Sequence, residues 1–234
     1  SVPAIELRQE DAGEIRAAIS KPGVYELIDS RGRSTKIDVD AISPVQAIDG
    51  PWETRFRKGD TTISSTSDSL RSWTEHERPD VKYFSGTATY HKQFDLLGAR
   101  RRDERLSLDL GRVDVIARVR LNGEDLGGLW KPPFRVDITD VARPTETRLE
   151  IEVTNLWPNR LIGDEQYPAD AKYEPGKNIL EWPDWLLEGR ARPEPRRRTF
   201  SSWQHFQKDS PLLPSGMTGP VTIHRAKVVS FELP

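Results

Sequence analysis

The chain has 234 residues, of which 31% are charged and 35% hydrophobic, with a formal net charge of −2. That near-balance gives no general pull toward nucleic acid or a membrane surface, and no apolar run reaches the length needed to span a bilayer. Cysteine is absent, which excludes disulfides and thiolate metal sites and leaves the redox compartment open. Residues 9–20 (QEDAGEIRAAIS) place Ile15, Ala18 and Ile19 at helical spacing, with acids in the first turn and Lys21-Pro22-Gly23 as a stop. The spacing predicts a short amphipathic helix. Residues 24–28 then alternate, Asp29-Ser30-Arg31-Gly32 turns, and 34–39 returns as the second arm of a β-hairpin. A helix and one hairpin bury little by themselves, so 1–48 is expected as an extension docked on a larger body.

Asp49-Gly50-Pro51 punctuates the chain, and Trp52, Thr54 and Phe56 open a β-sandwich expected over 49–234. Residues 58–80 are polar with isolated Ile63, Leu70 and Trp73. They read as a loop or edge segment, with Trp73 as its anchor to the core before it is a platform for sugar. From 81 to 157 the period-2 pattern is strongest. Ala88, Tyr90 and Lys92 share a face in 87–94, Leu106, Leu108 and Leu110 in 105–110, and Leu149, Ile151 and Val153 in 149–153. In 113–121 the inward set is Val113, Val115, Ala117, Val119 and Leu121. Such alternation argues for antiparallel strands with one packed face and one wet face. Asn122-Gly123 tolerates the positive φ of a two-residue turn and marks a hairpin. The charged tip 98–105 offsets its arginines with Asp103 and Glu104 and reads as a solvated turn.

The sheet pattern stops over 158–214. Half of the 18 prolines lie between Pro158 and Pro220, which marks this stretch as an irregular insertion. Tyr167, Tyr173, Trp182, Trp185, Trp203 and Phe206 fall within it, as do Arg190, Arg192, Arg196, Arg197 and Arg198. Its aromatic content argues against plain disorder and its length argues for a function. A helical turn is expected near 179–187 with Pro183 at its first position. Residues 199–206 are expected to re-enter the sandwich as a strand, and 219–223 and 226–231 as two closing strands.

Several ordered motifs carry a resemblance. Leu108-Asp109-Leu110-Gly111, Arg120-Leu121-Asn122-Gly123, Leu126-Gly127 and 134–139 (FRVDIT) resemble the sugar-binding β-sandwich of family 2 glycoside hydrolases. Residues 83–90 (YFSGTATY), 153–157 (VTNLW) and 159–164 (NRLIGD), with 213–216 and 219–221, resemble the C-terminal domain of family 106 α-L-rhamnosidases. The likeness spans roughly 45–225. It implies an all-β jelly roll, galactose-binding-like, serving as a non-catalytic accessory domain of a polysaccharide-degrading glycosidase. Its partner would be the catalytic domain of the same parent chain, with carbohydrate as a second partner and a secreted or periplasmic location. A start of SVPAIELRQE fits a removed tag or an exported mature protein, and the resemblance favours a piece excised from a larger enzyme.

The residues themselves offer no catalytic set. A glycosidase needs two carboxyl groups about 5–10 Å apart, and the spacing of Glu165, Glu174, Glu181, Asp184 and Glu188 pairs none of them. The resembled enzymes hold theirs in a separate barrel. Ser85-Gly86 and Ser215-Gly216 lack the nucleophile elbow, the four histidines lack zinc spacing, and no P-loop or dinucleotide fingerprint is present. Calcium is left open as a cofactor, without an ordered Asp-x-Asp-x-Asp-Gly loop to hold it. Sugar rings need an aromatic platform with polar groups at its edge. The candidates are Trp130, Tyr167, Trp182, Trp185 and Trp203 with Arg160, Asp164 and Glu165. Arg160 with Asp164 or Glu165 would equally serve as a fork-to-carboxylate pair pinning the root of the insertion. Two rivals are kept. An exposed row of aromatics would favour an autonomous carbohydrate-binding module, and two acids converging in a cleft would favour a small glycosidase or lyase. If the chain is a docking domain, a bare apolar patch is expected within 163–198.

Overall fold

Two antiparallel sheets realise the alternation. The computed structural model describes residues 3–9, 14–59, 61–174 and 178–232. In chain order the elements are β1 (Ile5–Gln9), β2 (Glu14–Ile19), β3 (Gly23–Ile28), β4 (Ser34–Val39), β5 (Gln46–Ala47), β6 (Trp52–Lys58) and β7 (Thr61–Ser67). A 3-10 turn (Trp73–Glu75) and helix α1 (Pro79–Lys82) lead to β8 (Thr87–Phe94), β9 (Glu104–Asp109), β10 (Arg112–Asp114), β11 (Ile116–Leu121), β12 (Glu124–Leu129), β13 (Arg135–Asp137) and β14 (Thr147–Thr154). The insertion holds α2 (Pro158–Asp164), β15 (Lys172–Tyr173), β16 (Ile179–Glu181) and α3 (Asp184–Leu187), before β17 (Gly216–Gly219) and β18 (Thr222–Glu232). One sheet runs β1-β2-β18-β9-β13, with β5 also on β18; the other runs β12-β11-β14-β8-β6-β7.

Leu106, Leu108 and Leu110 are buried in one core cluster with Ala88 and Tyr90, Ala117, Val119 and Leu121, and Leu149, Ile151 and Val153. Burying each leucine contributes about 1.5–3 kcal/mol. Phe56, Trp73 and Phe84 meet edge to face with ring centres 5.1 to 5.5 Å apart. Trp73 is thus the anchor of the polar segment, which itself forms edge strand β7. Its indole N–H donates to the Tyr90 hydroxyl at 2.6 Å, and the Met217 amide donates to the same oxygen at 3.0 Å. Burial pushes the Tyr90 phenol up to about 12. Gly216 (φ 93°) lets the backbone pass this ring: a Cβ there would lie 2.4 Å from Trp73 Nε1. Asn122 and Gly123 (φ 54° and 89°) turn β11 into β12 as expected.

Five expectations are corrected. The described part of the predicted helix over 9–20 is a strand: β2 pairs with β1 and β18, and its Ile15, Ala17 and Ile19 also fit period 2. In a stretch this short the ladder on both sides outweighs helical spacing. Residues 10–13 of that prediction lie outside the described residues. The expected hairpin is β3–β4, whose Ile37 and Val39 pack with Ala17 and Ile19 in a second core. Val115 points outward, because the chain changes partner there: Val113 pairs with Met217 and Ile116 with Thr154. The charged tip is a solvated turn only as far as Asp103. Glu104 is buried and receives the Arg225 guanidinium at 2.9 Å. Residues 199–206 form no strand beyond a single bridge from Trp203 to Asn178. The two closing strands expected at 219–223 and 226–231 are one unbroken strand, β18.

Candidate functional site

The insertion is a closed loop whose ends are tied side by side. Pro158 opens α2, where its missing N–H costs no helical bond. The next residue, Asn159, is buried and ties the outgoing end to the returning one: it accepts from the Leu213 amide at 2.8 Å and donates to the Leu213 carbonyl at 2.7 Å. Asn159 and Asn155 both donate to the Ser215 hydroxyl, at 2.9 and 3.1 Å. Helix α2 packs close to the sandwich because Gly163 has no side chain; a Cβ there would meet Tyr83 Cβ at 2.5 Å.

From α2 an ion network runs through the insertion. The Asp164 side chain is only 1% exposed and faces Arg160 Nη2 at 2.8 Å, a charge contact rather than an aligned hydrogen bond. Its other oxygen accepts from the Arg198 amide (2.7 Å), the Thr199 amide (2.6 Å) and the Thr199 hydroxyl (2.7 Å). These bonds explain why 199–206 leaves the sheets: the first amides that a ladder would need are held by a carboxylate. Arg197 is buried beside it, donating to the carbonyls of Asp164 (2.9 Å) and Tyr167 (3.1 Å) and to Glu165 Oε1 (2.5 Å). Asp170 takes the Arg192 guanidinium, and Arg192 also donates to the Thr199 carbonyl at 2.8 Å. A buried ion pair is costly to break, about 3–5 kcal/mol when one partner is removed. The network therefore fixes the insertion's shape.

The candidate residues fall into separate places. Arg160 and Asp164 form the expected root pair inside the protein. Glu165 instead joins Arg197 and Gln204, whose amide reaches Glu165 Oε2 at 2.9 Å. Tyr167 lies under the Arg196 guanidinium, 4.6 Å from its ring centre. Trp182 and Trp185 pack on Phe200 at 5.9 and 5.8 Å, and Trp185 donates to the Asp170 carbonyl at 3.1 Å. Trp203 stands beside His205, with ring centres 4.3 Å apart. Trp130 is 69% exposed and follows β12 on the sandwich, outside the insertion. Among the described residues, Glu165 and Trp203 line one small cavity, together with Tyr173, Arg192, Arg197 and Gln204; it measures about 20 Å³. That holds a water but not a pyranose ring, so a sugar could only rest on its rim.

Asp170, Phe200 and Gln204 are missing from the sequence candidates. The run of five arginines was a signal that matching carboxylates would be needed, but spacing alone could not say which ones. Each of Asp164, Glu165 and Asp170 is tied to arginine. Among the described residues no three His, Cys, Asp or Glu side chains gather to hold a metal ion, and no helix is long and apolar enough to cross a membrane.

Residues 71–185 match the family described as "Glycosyl hydrolase 2 galactose-binding domain-like". Those residues are galactose-binding-like, of the glycoside hydrolase 2 type. A curated relative from Formosa agariphila, described as "Putative beta-glucuronidase", is 42% identical over 214 residues, covering 91% of this chain and 18% of the relative. A solved rhamnosidase from Novosphingobium sp. PP1Y is similar in structure with a TM-score of 0.60 and 25% identity, over 96% of this chain and 25% of that one. The galactose-binding-like chain thus spans a fifth to a quarter of the length of these relatives.

Proposed function

We propose that this galactose-binding-like chain is a non-catalytic accessory domain of a polysaccharide-degrading glycosidase, α-L-rhamnosidase-like in kind, that packs on the catalytic domain of its parent chain. The observation that carries the reading is the tip of the insertion. Leu180, Trp182, Leu186 and Leu187 stand exposed there, between 40% and 69%, within eight residues of one another. A soluble surface seldom leaves such a cluster bare without a partner. The rhamnosidase likeness covers 96% of the chain at 25% identity and the relative described as a putative β-glucuronidase covers 91% at 42%; the rhamnosidase parent is proposed on the motifs at 83–90, 153–157 and 159–164.

The test is turnover of an aryl rhamnoside and an aryl glucuronide by the chain alone, with dye binding as a measure of exposed apolar surface. Absence of turnover, with dye binding reduced by Leu180→Ser and Leu187→Ser, supports the reading. Turnover of either substrate overturns it. A second reading, an autonomous carbohydrate-binding module, draws on Trp203: its exposed ring beside Glu165 and Gln204 offers a platform with polar groups at the edge. Saturable heat with rhamnose-containing oligosaccharides that is lost in Trp203→Ala would favour it.

A further inference from the structure

The tip of the β11–β12 hairpin carries a covalent chemistry of its own. The chain has four asparagines, at 122, 155, 159 and 178, and only Asn122 precedes glycine. An asparagine side chain can close a five-membered ring on the next backbone nitrogen. Here the Gly123 nitrogen, having lost its proton to solvent, would attack Cγ of Asn122. The Cγ–Nδ2 bond breaks, and Nδ2 takes up a proton and leaves as ammonia. Water then opens the succinimide at one of its two carbonyls, giving aspartate or isoaspartate. One water is consumed and one ammonia released, with no change in oxidation state. Glycine admits the attack because it has no side chain to crowd the ring, whereas Leu156, Arg160 and Ile179 follow the other three asparagines. Gly123 is exposed, and a Cβ built on it would meet nothing within 4 Å, so water has access.

The fold holds both polar atoms of the carboxamide away from this reaction. Oδ1 of Asn122 accepts from the Arg148 amide at 2.9 Å, and Nδ2 donates to the Val141 carbonyl at 2.6 Å. The Asn122 amide itself donates to the Arg148 carbonyl at 2.8 Å. Three bonds thus tie one residue to the segment 141–148. That segment is closed in turn by the buried Thr147, whose hydroxyl bonds the Arg143 amide at 3.1 Å and the Arg143 carbonyl at 2.8 Å. For Cγ to reach the Gly123 nitrogen the carboxamide must rotate, and rotation breaks both of its bonds. The backbone is constrained as well: 122 and 123 sit at φ 54° and 89° between the paired Leu121 and Glu124. Reclosure does not undo the reaction. Aspartate still offers Arg148 an acceptor but brings no donor to Val141, and isoaspartate adds a methylene to the main chain of a two-residue turn.

We infer that Asn122-Gly123 is a deamidation site that stays latent while the tip is closed and reacts only when the hairpin opens from 141–148. The experiment incubates the 234-residue chain in mildly alkaline buffer, folded and in unfolding urea. Peptide mapping by mass spectrometry follows the replacement of NH2 by OH at each asparagine. Hydrogen exchange of the Asn122 and Arg148 amides is read on the folded sample. The expected result in urea is reaction confined to Asn122, with isoaspartate among the products. In the folded chain the rate falls at least about tenfold, as local opening limits it, and both amides are protected. Equal rates in the two states would overturn the inference. So would a slow folded rate with freely exchanging amides, which would assign the protection to the turn alone. Reaction in urea at Asn155, Asn159 or Asn178 as fast as at Asn122 would overturn the choice of site.

Discussion

Asp164→Ala should unlatch the insertion while leaving the sandwich folded. Asp164 is the common acceptor for two backbone amides and a hydroxyl from 198–199 and faces Arg160, itself largely buried. Removing the carboxylate strands those donors and leaves a guanidinium without its counter-charge. Loss of one partner from a buried pair costs about 3–5 kcal/mol. At 1.4 kcal/mol per factor of ten, the open population of the insertion should rise by about two to three and a half orders of magnitude. Limited trypsin digestion reads this directly, because Arg196, Arg197 and Arg198 become cleavable when the segment opens and cleavage then follows the open population. Asp164→Asn keeps the shape and one acceptor oxygen, so it should fall between wild type and the alanine variant. Equal digestion rates for Asp164→Ala and wild type would refute the idea that this network holds the insertion.

Tyr90→Phe strands the Trp73 indole and the Met217 amide, so stability should fall by about 2–4 kcal/mol in urea denaturation. The Tyr90 phenol is raised to about 12 in the folded state, so wild-type stability should decline between about pH 10 and 12 as the unfolded chain ionises first; this part of the alkaline decline should be missing in Tyr90→Phe. Gly216→Ala drives a Cβ into the Trp73 ring at a positive φ and should cost more than about 3 kcal/mol, seen as loss of the cooperative thermal transition. For Glu104, burial acts to raise the pKa, but hydrogen bonds from the Arg101 amide and Arg225 hold it below the ordinary 4.5. That contribution is present above pH 4.5 and is lost as pH falls through the folded pKa, so Glu104→Gln should destabilise at pH 7 and converge toward wild type in acid.

The sandwich was legible because its signals are local. Alternating leucines at 106, 108 and 110 and the Asn122-Gly123 turn each specify a strand or a hairpin without reference to the rest of the chain. The resemblance at 108–111, 120–123, 126–127 and 134–139 added the domain type, and the spacing pointed Arg160 to Asp164 or Glu165, of which the structure takes Asp164. What could not be read depended on distant partners. Ile15, Ala17, Ala18 and Ile19 satisfy both periods, and only the arrival of β18 from the far end of the sequence decides for a strand. Residues 199–206 alternate like a strand, yet a carboxylate 35 residues away takes the Thr199 amide.

The insertion's stability and its exposed tip have different sources, and this separates docking from folding. Its shape is held by the Asp164, Arg197 and Asp170 network and by the packing of Trp182 and Trp185 on Phe200. Leu180 and Leu187 take no part in either and remain 63% and 69% exposed. Covering two leucines and the outer part of one tryptophan would stabilise a contact by about 3–5 kcal/mol, at about 25 cal/mol per Å². That is too little to hold two free proteins together after the cost of association. It is enough when both surfaces belong to one chain, where the tether has already met most of that cost. A rigid loop with a modest apolar tip is therefore suited to a neighbour within the same polypeptide, and the relatives' greater length leaves room for one.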